Sequence, residues 1–290
     1  MICNSCPRKC NIDRERSPGY CRSAGAFRVA RAALHFWEEP CISGKNGSGT
    51  VFFSGCNLRC VYCQNYEISR DGKGVEVSDE RLIGIFEALI KEGAENINLV
   101  NPTHYADRLC GLLKRWKSPV PIVWNTSGYE SAETLKRLSG LVDIYLTDLK
   151  YIRADKAKRY SSAEDYFSVV KAALSEMTHQ LPSDEFTADG IMKKGVIIRH
   201  LILPSNTNSS LEILDFLNES YKDRIISLMA QYTPCGELGE YPEINRKITK
   251  REYEKVASYA EKLGFGRIFL QKLSSADKNF IPAFDFSGIM

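Results

Sequence analysis

From Val51 onward, short unbroken apolar runs alternate with amphipathic segments, and this alternation restricts the fold more than any other feature of the chain. Val51-Phe52-Phe53 and residues 96–100, 121–124, 142–146, 196–203, 225–230 and 267–270 read as strands. Between them, Leu82, Ile83, Phe86, Leu89 and Ile90 recur at helical spacing, with Ser78 as the cap and Gly93 as the stop. Further helices carry Leu109, Leu112 and Leu113; Leu135 and Leu138; Phe167, Val170, Leu174 and Met177; and Leu211, Leu214 and Leu217. The last buries Tyr253, Val256, Ala260 and Leu263 and ends at Gly264. Thr249-x-x-Glu252 reads as its capping box, and Ser162-Ala163-Glu164-Asp165 as the start of the Phe167 helix. Strands that are apolar throughout, without period two, belong to a parallel sheet covered on both faces, here with six strand–helix units and a seventh strand. Residues 183–194 are polar and read as a long connection, and 43–50 as a turn that lacks the spacing of a phosphate loop.

The first of these strands runs directly into Gly55-Cys56-Asn57-Leu58-Arg59-Cys60-Val61-Tyr62-Cys63, a C-x3-C-x2-C loop. Four thiolates close off a [4Fe-4S] cluster, so three leave one iron with an open position where a small molecule can bind. The alternative is a structural zinc knuckle. That site should be closed by a fourth ligand, and no Cys or His follows Cys63 until His104.

A second group, Cys3, Cys6, Cys10 and Cys21, stands at C-x2-C-x3-C-x10-C in a segment poor in core-forming residues. Four thiolates can close a site there, and spacing does not choose between zinc and an auxiliary iron–sulfur cluster. Cys41 is a substitute ligand on this reading. The division expected is a Cys-rich module at 1–45 and a core domain at 46–290.

The cysteine loop, with an aromatic residue (Tyr62) just before its last cysteine, resembles the signature of the radical S-adenosylmethionine (SAM) superfamily. The wider text, from His35-Phe36-Trp37-Glu38-Glu39-Pro40 to Cys63-Gln64-Asn65-Tyr66, is similar to uncharacterised iron–sulfur proteins related to pyruvate formate-lyase activating enzyme. The resemblance implies an α/β fold of the partial (β/α)6 TIM-like barrel type. It also implies a [4Fe-4S] cluster on Cys56, Cys60 and Cys63, SAM chelating the open iron, Tyr62 near the adenine, and a 5'-deoxyadenosyl radical as the reactive species.

In parallel barrels the site forms at the C-terminal ends of the strands. Those ends carry Asn101-Pro102-Thr103-His104, Asn125-Thr126-Ser127-Gly128, Thr147-Asp148-Leu149-Lys150 and Gln231-Tyr232-Thr233-Pro234-Cys235. Asp148 can accept both ribose hydroxyls, and its Asp-Leu-Lys text resembles the region of the activating enzymes that contacts SAM. Asn125 and Ser127 lie in a neighbouring motif in which those enzymes carry an Asp at the position of Asn125, which puts a bound cation in doubt. Arg199, a cation in an apolar strand, reads either as the partner of the SAM carboxylate or as half of an internal ion pair. His200, on the other face, reads as a packing histidine. Many members of the superfamily have a Gly-Gly-Glu-like element after the second strand. This chain has none, leaving Asn101, Thr103 or backbone carbonyls for the methionyl ammonium. His104 reads as a neighbour of a helix start ahead of proton donor or substrate contact. Cys235 is either a hydrogen-atom donor or an inert thiol, and Cys110 reads as core.

The net charge of +3 comes from 39 basic and 36 acidic residues spread along the chain, without the basic stripe of a nucleic-acid footprint. No apolar run is long enough to span a bilayer and the start lacks a signal-peptide pattern, so a cytoplasmic protein with reduced cysteines is expected. The first functional expectation is activation of a glycyl radical enzyme, with flavodoxin or ferredoxin as electron donor. The second is radical modification of a small molecule or peptide. The third is a non-catalytic electron-transfer protein, favoured if Asp148, Lys150 and Arg199 face away from the cysteine loop.

Overall fold

The computed structural model describes residues 2–276 and 281–289. In chain order the elements are β1 (Phe27–His35), α1 (Pro40–Ser43), β2 (Ser48–Phe53), α2 (Tyr66–Ser69), β3 (Val75–Val77), α3 (Asp79–Lys91), β4 (Ile97–Val100), α4 (Ala106–Arg115), β5 (Ile122–Thr126), α5 (Ala132–Leu138), β6 (Ile144–Asp148), α6 (Ala154–Ser161), α7 (Tyr166–Gln180), β7 (Glu185–Phe186), β8 (Met192–Leu201), α8 (Thr207–Ser220), β9 (Ile225–Met229), α9 (Lys250–Leu263) and β10 (Ile268–Leu270). Among the described residues the sheet order is β10-β9-β8-β6-β5-β4-β2-β1-β3, parallel from β10 to β2. The seven parallel strands are those expected from the apolar runs. They form an α/β fold with helices between them, and no helix among the described residues is long and apolar enough to cross a membrane.

Local chemistry starts two helices as expected. Ser78 Oγ accepts the Arg81 amide, and Thr249 with Glu252 forms a reciprocal capping box. The third expectation is corrected. Ser162 adopts a left-handed conformation (φ 48°) that ends α6, while α7 starts at Tyr166 without a side-chain cap. Helix α6 was not expected, and the 183–194 connection is shorter than its composition suggests, because β8 extends back to Met192 and pairs antiparallel with β7.

Strand β1 was also not expected. It runs antiparallel along β2, pairing from Val29 opposite Phe53 to His35 opposite Ser48, and it carries β3 on its other side. The segment read as the N-terminal module therefore contributes a strand to the main sheet. Farther along that outer side, Ala30 O accepts the Phe286 amide and the Ala32 amide donates to Ser287 O. These partners occupy backbone groups that an edge strand would otherwise leave open.

On the inward face of the parallel strands, Val123, Ile144, Leu146, Ile197 and Ile225 pack with Cys41 and Ile42 of α1 into one apolar cluster. Each buried aliphatic side chain of this kind stabilises the fold by about 1.5–3 kcal/mol. Cys41 belongs to this plug, so its reading as a substitute ligand for the N-terminal cysteines is corrected.

Candidate active site

Two residues farther along the same inward faces, the side chains become polar. Asn98, Asn125, Asp148 and Arg199 meet Glu38, which enters from the segment between β1 and α1. Arg199 donates to three of them: Nε to Asp148 Oδ1 (2.9 Å), Nη1 to Glu38 Oε2 (3.2 Å) and Nη2 to Asn125 Oδ1 (2.7 Å). Lys150 Nζ takes the other Asp148 oxygen at 2.5 Å. Burial by itself would push the Asp148 carboxyl up, yet the Arg199 guanidinium and the Lys150 ammonium together hold it below its ordinary value. Burial pushes Glu38 and Glu39 up from their ordinary values, against the pull of Arg199. Glu38 and Asp148 are thus shifted in opposite directions, the first up and the second down.

This layer is one wall of a cavity of about 330 Å³. Its opposite wall is the cysteine loop: Cys56, Cys60, Tyr62 and Cys63 line the same space as Asn125, Ser127, Asp148, Lys150 and Arg199. Nine residues singled out from four separate stretches of sequence are thereby brought together. Ser127 Oγ is buried without a partner in the protein, a free polar group for a ligand. Arg199 is not free in this way. Three of its five N–H groups go to Asp148, Glu38 and Asn125, the internal-pair alternative for this residue, and two remain.

Three other candidate residues stand apart from this space. His104 is not among the residues lining the cavity. It sits behind the loop, with Nε2 on the Ser54 carbonyl at 2.8 Å, and burial followed by the Arg14 charge pushes it down to about 3, which removes it as a proton donor at neutral pH. Cys235 is half-buried on the loop after β9 and also does not line the cavity. Thr103 turns away to Glu130, at 2.6 Å, whereas Asn101 stays on the rim and donates to Gly55 O at 2.5 Å. His200 and Cys110 are the packing residues expected. The ring bridges Leu149 O and Ser210 Oγ, and the thiol donates to Arg137 O.

Glu38 is the residue that sequence reasoning missed. The chain lacks a carboxylate after its second parallel strand, and Glu38 places one beside Asn98 and Asn125 from more than fifty residues upstream. The acidic pair Glu38-Glu39 before Pro40 was a visible signal, but nothing local assigned it to the interior.

The cysteine loop suits soft-metal chemistry. Cys56 Sγ accepts the amides of Leu58 (3.3 Å) and Arg59 (3.4 Å), with Arg59 in a left-handed conformation (φ 52°), and Cys60 Sγ accepts the Ser161 hydroxyl at 3.0 Å. Burial, then the neighbouring Cys60 and Cys56 sulfurs, pushes the Cys63 thiol up to about 12. Burial pushes Cys56 in the same direction, and thiols in this condition hold their protons unless a cation replaces them. No three His, Cys, Asp or Glu side chains among the described residues converge on a single ion. A polynuclear cluster places each thiolate on its own iron, and the donor set fits such a group.

Behind the loop lies the second cysteine group. Burial pushes Cys6 up to about 12, and Cys21, Cys3 and Cys10 all act on it in the same direction. The segment is docked on the loop itself. The Cys56 amide donates to Cys21 O at 3.2 Å, and Arg8 Nε donates to Asn57 O at 2.8 Å. Tyr20 lies between Arg8 (4.0 Å) and Arg59 (5.4 Å) in a double cation–π contact. Gly55 (φ 88°) permits this approach, since a Cβ there would stand 2.6 Å from Cys21 O.

Comparison with known proteins agrees with this geometry. The family model of the radical SAM superfamily matches residues 50–217, more than half of the chain and the part that contributes the cysteine loop, Asp148, Lys150 and Arg199. An uncharacterised protein of Methanocaldococcus jannaschii is 31% identical over 277 residues, covering 92% of this chain and 76% of its own. The chain belongs to the radical SAM superfamily.

Proposed function

We propose that this radical SAM enzyme binds its cluster on Cys56, Cys60 and Cys63 and abstracts hydrogen from a substrate held in the 330 Å³ cavity. When bound, the [4Fe-4S] cluster supplies the electron that splits SAM into methionine and a 5'-deoxyadenosyl radical. The observation that carries this reading is the shared lining: Asp148, Lys150 and Arg199 face the cysteine loop across one space, which counts against a non-catalytic electron-transfer protein.

The chain's own residues divide the work. Lys150 lies close enough to Cys56 to favour its thiolate and offsets the negative charge gathered at the loop. Asp148, kept ionised between Arg199 and Lys150, retains lone pairs for ribose hydroxyls. Tyr62 and Ser127 flank the space, the first offering an aromatic face and the second an unpartnered hydroxyl. Asn125 and Arg199 orient Asp148 and Glu38, and the apolar plug beneath them excludes water from that side.

Activation of a glycyl radical enzyme, with flavodoxin or ferredoxin as reductant, is the substrate reading we place first. It is supported by a cavity that the cysteine loop shares with Gln271, beyond β10 at the other end of the sheet, and with Pro282. The parallel strands with their open order suit the partial (β/α)6 barrel of the superfamily. Cys3, Cys6, Cys10 and Cys21 are on this reading a second metal site, for zinc or iron–sulfur; their mutual influence and their contact with the loop support it, and a single zinc requires them to draw closer than they stand.

The test is 5'-deoxyadenosine release by anaerobically reconstituted, dithionite-reduced protein supplied with SAM, with iron, sulfide and zinc counted on the same sample. Release that vanishes in the Cys56→Ala, Cys60→Ala, Cys63→Ala chain is the expected result. A fully loaded cluster whose EPR signal does not respond to SAM would overturn it.

A further inference from the structure

A line of buried hydroxyls ends on the sulfur of Cys60. Ser161 Oγ donates to Cys60 Sγ at 3.0 Å, Tyr151 Oη lies 2.7 Å from Ser161 Oγ, and Tyr151 Oη donates to Tyr62 Oη at 2.8 Å. Tyr62, Tyr151, Ser161 and Cys60 are each less than 8% exposed, so water does not compete for these contacts. Ser161 closes α6, and the preceding residue fastens the loop directly, since Tyr160 O accepts the Val61 amide at 2.9 Å.

Counting hydrogens fixes the polarity of this line. Three hydroxyls carry one hydrogen each, and three contacts need one each. All three are satisfied only if every hydrogen points the same way along the line. With a thiol at Cys60 either direction is open. With a thiolate there is no sulfur-bound hydrogen to give, and Ser161 donates to sulfur; the Tyr151 hydrogen, which points to Tyr62 in the metal-free chain, then turns to Ser161, and Tyr62 becomes the donor to Tyr151. A thiolate that accepts a hydrogen bond carries less negative charge, and a chain of aligned hydroxyls polarises each donor further. The effect is larger for the reduced cluster, whose ligands bear more charge, so the donor raises the reduction potential.

We propose that Ser161 is a positioning residue of the radical SAM cluster, which with Tyr151 and Tyr62 delivers an oriented hydrogen bond to Cys60 and makes the cluster easier to reduce. This rests on the [4Fe-4S] reading of the loop. No atoms are exchanged: the three hydrogens stay on their oxygens, and the electron comes from the flavodoxin- or ferredoxin-class donor.

The experiment is an EPR-monitored redox titration of the reconstituted full-length protein and three variants, with iron and sulfide counted on each. Ser161→Ala is expected to lower the midpoint potential. Ser161→Thr, which keeps the hydroxyl, should restore it, and Tyr151→Phe, which leaves the donor to sulfur but breaks the line behind it, should give a smaller shift in the same direction. An unchanged potential in a fully loaded Ser161→Ala protein, or the same shift in Ser161→Thr, overturns the proposal. Should Ser161→Ala not load, Tyr151→Phe decides alone, because it keeps every sulfur ligand and the hydroxyl next to it; no shift there is likewise fatal. Wild-type protein that takes up no iron and sulfide would take down the cluster reading itself, a different result from a loaded cluster indifferent to Ser161.

Discussion

Val123 and Asn125, Leu146 and Asp148, Ile197 and Arg199 are pairs on the same inward faces of the same strands, two residues apart, and they build opposite environments. The lower member of each pair packs into the plug around Ile42, and the upper one enters the ion network around Glu38. A step of about 6–7 Å along a strand separates them. The lower layer needs only volume to be filled, whereas the upper one needs each charge to be answered.

The largest effect that separates the layers is expected from Arg199→Met. It leaves Asp148 and Glu38 buried without their shared cation, and breaking such a pair costs about 3–5 kcal/mol, read as a fall in urea unfolding free energy at neutral pH. A loss under about 1 kcal/mol would mean that water or protons already answer those carboxyls. Leu146→Ala comes next, at about 2–4 kcal/mol for the cavity left in the plug, with iron and sulfide content unchanged. Loss of cluster content in that variant would show that the plug holds the site in place and that the layers are not independent.

The smallest effect concerns the other side of β8. Arg199 faces in and stays charged, while His200 faces out and burial pushes it from 6.5 down to about 4. A ring that is neutral in the fold, but takes a proton below 6.5 when unfolded, contributes stability that is complete above about pH 6.5 and lost as pH falls toward 4. Urea midpoints measured across that window should decline, and His200→Gln should flatten part of the decline. His104 titrates in the same direction and keeps the rest. A slope untouched by His200→Gln would place the titration elsewhere.

The parallel strands and most of the helices were legible because each buries an apolar face that shows as a local period. Strand β1 was not. Its alternation is broken by a register shift between Val29 and Arg31, and its arginines mask an edge strand as part of the cysteine segment. Helix α6 buries only Ala157, Tyr160 and Ser161, too few for a period to emerge. In the site, every residue that owes its position to the end of a parallel strand could be anticipated. Glu38 could not, because its partners Asn98, Asn125 and Arg199 come from three different strands and only the closed fold assembles them. Arg199 shows the same limit. Its need for a partner was evident, but which anion answers it is decided by residues 51 and 161 positions away.

The seam along β1 also bears on how such a fold is reached. Asp285 pairs with Arg31 across 254 positions, Phe284 rests on Phe52 with ring centroids 5.5 Å apart, and Gly288 lies so close to Ala32 that a Cβ there would be 2.1 Å from its carbonyl oxygen. Contacts this remote carry a large loop-closure cost until the strands between them have formed, after which most of that distance is already spanned. The seam is therefore expected to form late in folding. Because Pro282, just before it, walls the cavity, the substrate chamber is completed only when the two distant parts of the chain have met.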